Sequence, residues 1–231
     1  MKKLIITGFF AVICGLLPAA GFALSISSAT ELCQREAQNN PPQIEIRYNY
    51  GNLKINHRHT SSELGKMMSK MYPVKINHSL NGLTRLSPFA VIDSDIVQSP
   101  KGNYLCYYPQ TVRVTVGYEP VVYIRSDLEE DDCRYKVTMR HEQTHLDIGY
   151  LSLQQFLQKI KSIFPLMVKN AGIITIAADK GISAQETSTE LNNKYQRQMS
   201  RLFDDFIKGM IEQQMRIDSA DDYKAEGTLC R

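Results

Sequence analysis

Residues 126–145 read SDLEEDDCRYKVTMRHEQTH, and the way this stretch folds decides what the rest of the chain must pack against. Ser126-Asp127-Leu128-Glu129 has the Ser-x-x-Glu form of a capping box, in which the two side chains satisfy backbone N–H groups left over at a helix start. Glu130, Asp131 and Asp132 add negative charge where the positive end of a helix dipole favours it. The pattern therefore predicts a helix beginning here. Along it, Cys133, Val137, Thr144, Ile148 and Phe156 fall on one side at the 3.6-residue period, with His141 and His145 close to the same stripe. Gly149 is expected to kink or end the first part of that helix, and Pro165 to close a stretch from Leu151 to Phe164.

Within the helix, His141-Glu142-Gln143-Thr144-His145 is a His-Glu-x-x-His arrangement. Histidines four apart lie one turn apart on a single face, so both imidazoles can bind one zinc ion while the intervening glutamate stands beside a metal-activated water. Zinc lowers the pKa of such a water toward about 7, and Glu142 is then placed to accept its proton and return it to a leaving amine. With five histidines in 231 residues, a chance match is expected in only about one such chain in two hundred. Coincidence is a weak explanation.

Upstream, Ser25 to Asn40 reads as a short helix and polar linker ended by Pro41-Pro42. Ile44, Ile46 and Tyr48, then Leu53, Ile55 and His57, alternate with polar neighbours as a pair of half-buried strands. Ser61 to Met71 is amphipathic through Leu64, Met67, Met68 and Met71, a stripe suited to core packing. Further strands are expected at Val74–His78, Arg85–Ile92, Tyr104–Tyr108, Val112–Tyr118 and Val121–Ile124. Downstream, a second Ser-x-x-Glu at Ser183 to Glu186 opens a long helix carrying Leu191, Tyr195, Met199, Leu202, Phe206, Met210 and Ile217 at helical intervals.

Residues 1–23 combine Lys2-Lys3, an apolar run from Leu4 to Leu17 and a small-residue exit ending at Ala23, the form of a cleaved signal peptide. The chain is expected to be exported, periplasmic or secreted, with residues 24–231 as a single domain and no membrane span after cleavage. Loss of Cys14 leaves Cys33, Cys106, Cys133 and Cys230, an even count in a compartment where disulfides persist. The expected pairing is Cys106 with Cys133 and Cys33 with Cys230. Removing the two signal lysines from 27 basic residues leaves 25 against 24 acidic ones. That near-neutrality argues against nucleic acid as a partner.

The third zinc ligand is open on spacing alone. No histidine follows His145, so the candidates are Glu186, Glu190, Asp147, Asp218, Asp222, Tyr223, or the upstream His57, His59 and His78. Tyr48 to Gly51 followed by Glu63-Leu64, the strands around Val112 to Ile124, His141 to His145, and the helix ending Ile217-Asp218-Ser219-Ala220-Asp221-Asp222-Tyr223 together resemble a family of exported bacterial proteins. That family is known as a domain of unknown function with an inferred zinc-dependent protease activity. The resemblance spans about residues 43 to 225. The family tail reads Tyr-Asp-x-x-Thr-Asp-His-Gly; Asp218 and Asp222 match it, while Ile217, Asp221 and Tyr223 depart from it. By that resemblance the third ligand is expected from Asp222 or Tyr223.

The expectation is therefore an α+β, zincin-like fold: a mainly antiparallel sheet packed against the motif helix and a long C-terminal helix. Its function would be that of a zinc metallopeptidase acting on a peptide or protein substrate, aligned on an edge strand before Ser126. Two other functions fit the same residues: a non-catalytic exported binding module of that fold, and a zinc amidase acting on cell-wall material.

Overall fold

Tyr104 to Arg125 forms one 22-residue strand, β4, and every other strand pairs with it. In the computed structural model, which describes residues 24–72, 79–128, 132–180, 182–219, 221–222, 225 and 228–230, the order is α1 (Ile26–Asn39), β1 (Gln43–Asn49), β2 (Lys54–His59), α2 (Ser61–Met71), β3 (Gly82–Lys101), β4, α3 (Cys133–Ala171), β5 (Ile174–Ala177) and α4 (Ala184–Ile217). A short 3-10 turn at Ala178–Lys180 precedes α4. The strand expected at Val74–His78 and the signal segment expected at residues 1–23 lie outside the described residues.

β3 and β4 make a long antiparallel hairpin from Gly82↔Ile124 to Lys101↔Tyr104. Its two-residue turn places Gly102 at φ +61, which suits a turn with positive φ at its first central position. Because β3 occupies one edge of β4 along its length, the other strands share the opposite edge end to end. β5 pairs antiparallel at Tyr104–Tyr107, β1 parallel at Thr111–Gly117, and β2 parallel from Val121 to Arg125.

This corrects the expected mainly antiparallel sheet. Three of the five strands, β1, β2 and β4, run in the same direction. The reason lies at Tyr50-Gly51-Asn52, which does not reverse the chain. Gly51, at φ +63, packs over the Tyr118 carbonyl and Pro120, carrying β1 onward into β2 along the same edge. Both prolines of β4 fall where a ladder N–H is dispensable: Pro109 adjoins the irregularity at Asp95/Ile96, and Pro120 lies between the segments paired to β1 and to β2. What read as three short strands is one.

The parallel join demands close approach at Gly117, where an added Cβ would stand 2.0 Å from the Asn49 carbonyl oxygen. Backbone cannot retreat as a side-chain tip can. Gly117→Ala should therefore destabilise the protein by about 1–3 kcal/mol or more, read as a lower urea midpoint at an unchanged slope; an unchanged midpoint would contradict the β1–β4 join.

Val112, Val114, Val116 and Tyr118 from β4 bury against Leu153, Phe156, Leu157, Ile160 and Phe164 of α3 and Leu191, Tyr195 and Met199 of α4. Each fully buried side chain of this kind contributes roughly 1.5–3 kcal/mol, so this cluster fixes the two helices against each other and the sheet. A second cluster joins Leu64, Met68 and Tyr72 to Leu80, Leu83 and Tyr123.

The capping boxes at Thr60–Glu63 and Ser183–Glu186 both form. The one expected at Ser126–Glu129 does not start α3; Asp132 caps it instead, accepting from the Arg134 N–H. The buried stripe of α3 runs through Thr138, His141, Glu142, His145, Gly149, Ser152, Leu153 and Phe156, leaving Thr144 exposed. α3 passes through Gly149 and Pro165 without ending. Pro165 withdraws the N–H that would reach the Lys161 carbonyl, but Lys161 is exposed and water can take its place.

The disulfides are Cys33–Cys106 and Cys133–Cys230, not the expected pairing. Cys106 lies near the beginning of the continuous β4 and Cys133 beyond its end, so the strand itself keeps them apart. α1 instead brings Cys33 to Cys106 in a buried cluster with Tyr108. No described helix is long and apolar enough to cross a membrane.

Candidate metal centre

α3 and α4 each present two polar residues one turn apart, and the two pairs face each other. His141 and His145 come from α3; Gln214 comes from the last turn of α4, and Asp218 is that helix's C-cap. The Nε2 atoms of His141 and His145 stand 3.1 Å apart, and Asp218 Oδ1 lies 3.2 Å from the first and 3.1 Å from the second. A tetrahedral zinc ion with bonds of about 2.0–2.2 Å holds its ligands roughly 3.3 Å apart. The donor spacing fits such an ion.

All three side chains are buried, the Asp218 carboxylate being 8% exposed. Three acceptor atoms do not converge in a dry site without a cation or proton among them. His141, His145 and Asp218 thus form a buried group with the donors and spacing to hold a metal ion; with a histidine protonated, the same contacts are ion pairs.

Gln214 orients the centre. Its Oε1 accepts from His145 Nδ1, while its Nε2 donates to the His145 carbonyl at 2.9 Å. This places the proton on Nδ1 and turns the Nε2 lone pair toward Asp218 and His141. Gln214→Leu should weaken metal binding by about 10- to 100-fold, measured by competition with a chromogenic chelator; unchanged affinity would remove Gln214 from this role.

Glu142 lies beside the centre, 2% exposed, with Oε2 accepting from Thr84 Oγ1 at 2.7 Å. Burial raises its pKa, against the lowering influence of His145 and Thr84. For His145, burial alone would disfavour the imidazolium, but the Asp218 hydrogen bond and the Glu142 charge outweigh it and hold the pKa above the ordinary value. A Cβ at Gly82 would come 2.3 Å from Glu142 Oε1, so glycine lets β3 approach the carboxylate this closely.

Comparison with known proteins gives no match. No family model, curated protein or solved structure matches the chain, so neither a zincin-like fold nor the family resemblance gains support from a neighbour.

The remaining candidate ligands fall elsewhere. Asp222 is exposed and accepts from the Ser219 hydroxyl, leaving Asp218 as the described carboxylate that joins the histidines. Tyr223 and His78 lie outside the described residues. Glu186 serves its capping box, Glu190 meets Lys194 at 3.1 Å, and Asp147 accepts from Gln143. His57 stacks on Tyr135, and His59 lies near Glu63. Gln214 and Thr84 were not singled out from sequence. A signal for the α4 pair exists: the core stripe Leu191, Tyr195, Met199 and Met210 continues at four-residue steps into Gln214 and Asp218, polar residues at positions that otherwise bury apolar ones.

Proposed function

We propose that this chain is an exported zinc-dependent metallopeptidase, with His141, His145 and Asp218 holding the metal and Glu142 as general base. The observation that carries this is the meeting of three buried donor atoms within 3.2 Å with a buried carboxylate one residue from the first histidine. His141, His145 and Asp218 would hold the ion, and zinc bound there would supply the Lewis acidity that makes a water nucleophilic near pH 7. Glu142 takes the proton, and its raised pKa suits it to give that proton back to the leaving amine.

Support for an extended peptide as substrate comes from β3, whose outer edge has no strand partner among the described residues and whose Gly82 and Thr84 adjoin Glu142. Such an edge can pair with an extended chain; β4, which includes the segment before Ser126, is central and cannot. The start at residues 1–23 and the two disulfides support export, and the resemblance to an exported zinc-protease family belongs to the same proposal.

One observation favours a second reading, a non-catalytic binding module: Glu142 is enclosed and already hydrogen-bonded to Thr84. Zinc retained without hydrolysis of any member of a broad peptide library would select it.

Elemental analysis of the chain from Leu24 onward tests the metal. About one zinc per chain, lost in His141→Ala, is expected. Wild-type protein purified without chelators and free of zinc would overturn the proposal.

A further inference from the structure

β1 pairs with β4 along one edge, and no described strand pairs with its other edge. An open row of backbone N–H and C=O groups of this kind is a template for another strand. Its side chains alternate between the two faces of the sheet. Ile44 and Ile46 pack on the core cluster that includes α3, and Tyr48, two residues on, shares their face. Glu45 and Arg47 point the other way and meet each other at 2.5 Å.

Both faces of β1 are incomplete at this edge. On the first, Tyr48 is 60% exposed, although a large aromatic ring gains most when it is covered. Where β1 begins, Pro42, Ile44, Tyr108, Pro109, Pro165 and Val168 help to line a cleft of about 630 Å³. On the second, the register aligns Asp93, Arg113 and Glu45 across β3, β4 and β1, with Arg113 bonded to Asp93 at 2.7 Å. This row alternates in charge and stops on an anion at the open edge, so a cation is the complementary next member.

We propose that a second copy of this chain completes the edge, its β1 running antiparallel to the first about a two-fold axis at Ile46. In that register Glu45 faces the partner's Arg47 and Arg47 faces the partner's Glu45, so the surface is self-complementary, as a two-fold interface requires. Ile46 meets the partner's Ile46. Ile44 meets the partner's Tyr48, which brings that exposed ring to the mouth of the cleft as an anchor, the kind of residue and setting that dominates interface energies. A slip of one residue would set the apolar face of one strand against the charged face of the other. A slip of two would set Arg47 on the partner's Arg47, or Glu45 on the partner's Glu45, so charge selects the register. The inference requires neither the metal nor hydrolysis.

Sedimentation equilibrium of the chain from Leu24 onward, run over a concentration series, tests this. Wild type should dimerise reversibly. Arg47→Glu sets acid against acid at two places and should raise the dimer dissociation constant by about 10- to 100-fold. Combining it with Glu45→Arg exchanges the two charges and should return the constant to within a few-fold of wild type. Tyr48→Ser should weaken the dimer by about 10-fold or more. Arg47 and Tyr48 are exposed, so these variants are expected to fold, which circular dichroism checks. Wild type that stays monomeric up to about 1 mM chain overturns the proposal, as does a dimer indifferent to Arg47→Glu. An exchanged pair no better than Arg47→Glu alone would mean that the copies meet through another register or surface, and overturns it too.

Discussion

Asp218→Ala is expected to empty the metal centre, weakening zinc binding by more than about 100-fold, the upper end of what removing an outer-sphere partner costs. The reasoning is geometric. Asp218 Oδ1 is equidistant, within 0.1 Å, from the two imidazole nitrogens, and neither Glu190 nor Asp147 can substitute, each being exposed and engaged elsewhere. Two histidines on one helix turn hold zinc weakly without a third donor. Asp222→Ala, by contrast, should leave binding within a few-fold of wild type, because that carboxylate is turned to Ser219. Competition against a chelator of known affinity, with circular dichroism to show that each variant folds, separates the two. Loss of zinc in Asp222→Ala with retention in Asp218→Ala would overturn the ligand set.

The contrast between these aspartates shows where sequence information ends. His141 and His145 are legible because one helix turn fixes their spacing, and local periodicity is what a sequence displays. Asp218 is 73 residues from His145, by subtraction of their numbers, and it reaches the histidines only through the packing of α4 on α3 by Leu153, Phe156, Leu191, Tyr195 and Met199. Nothing at positions 217–223 distinguishes Asp218 from Asp222 by type. The distinction is where the helix stops: both aspartates fall on the four-residue steps through Met210 and Gln214, but α4 ends at Ile217 with Asp218 as its C-cap, so only Asp218 is carried on its buried face.

A similar limit governs the sheet. α2 is written plainly in its apolar spacing and α4 in a capping box and apolar spacing, whereas strand direction is decided by which edge of β4 accepts each partner. Pro109, Gly117 and Pro120 look like breaks because their usual cost assumes a fully paired, evenly spaced ladder. In β4 they coincide with an irregularity, a close parallel join and a gap between partners. The disulfide pairing follows from the same continuity, since a strand folded into three pieces could have returned Cys106 to Cys133 and an unbroken one cannot.

Glu142→Gln should retain about one zinc per chain while lowering peptide hydrolysis by about 10²- to 10⁴-fold, the usual contribution of a positioned general base. Glutamine keeps the shape and can still accept from Thr84, so the two quantities should part company. Stability should move oppositely. Burial raises the Glu142 pKa above 4.5, so the folded, metal-free protein binds this proton more tightly than the unfolded chain does. The favourable contribution is therefore fully present below pH 4.5 and is lost as pH rises through the folded value. Above pH 4.5 ionisation favours the unfolded chain while burial opposes it in the fold, a penalty glutamine does not carry, so at pH 7 the metal-free variant should melt higher; below pH 4.5 the difference should vanish. A higher melting temperature together with lost turnover marks a group kept for chemistry at a cost in stability. Retention of full hydrolysis by Glu142→Gln would instead remove Glu142 as base, and a lower melting temperature at pH 7 would mean that its carboxylate is held in place by partners glutamine cannot satisfy.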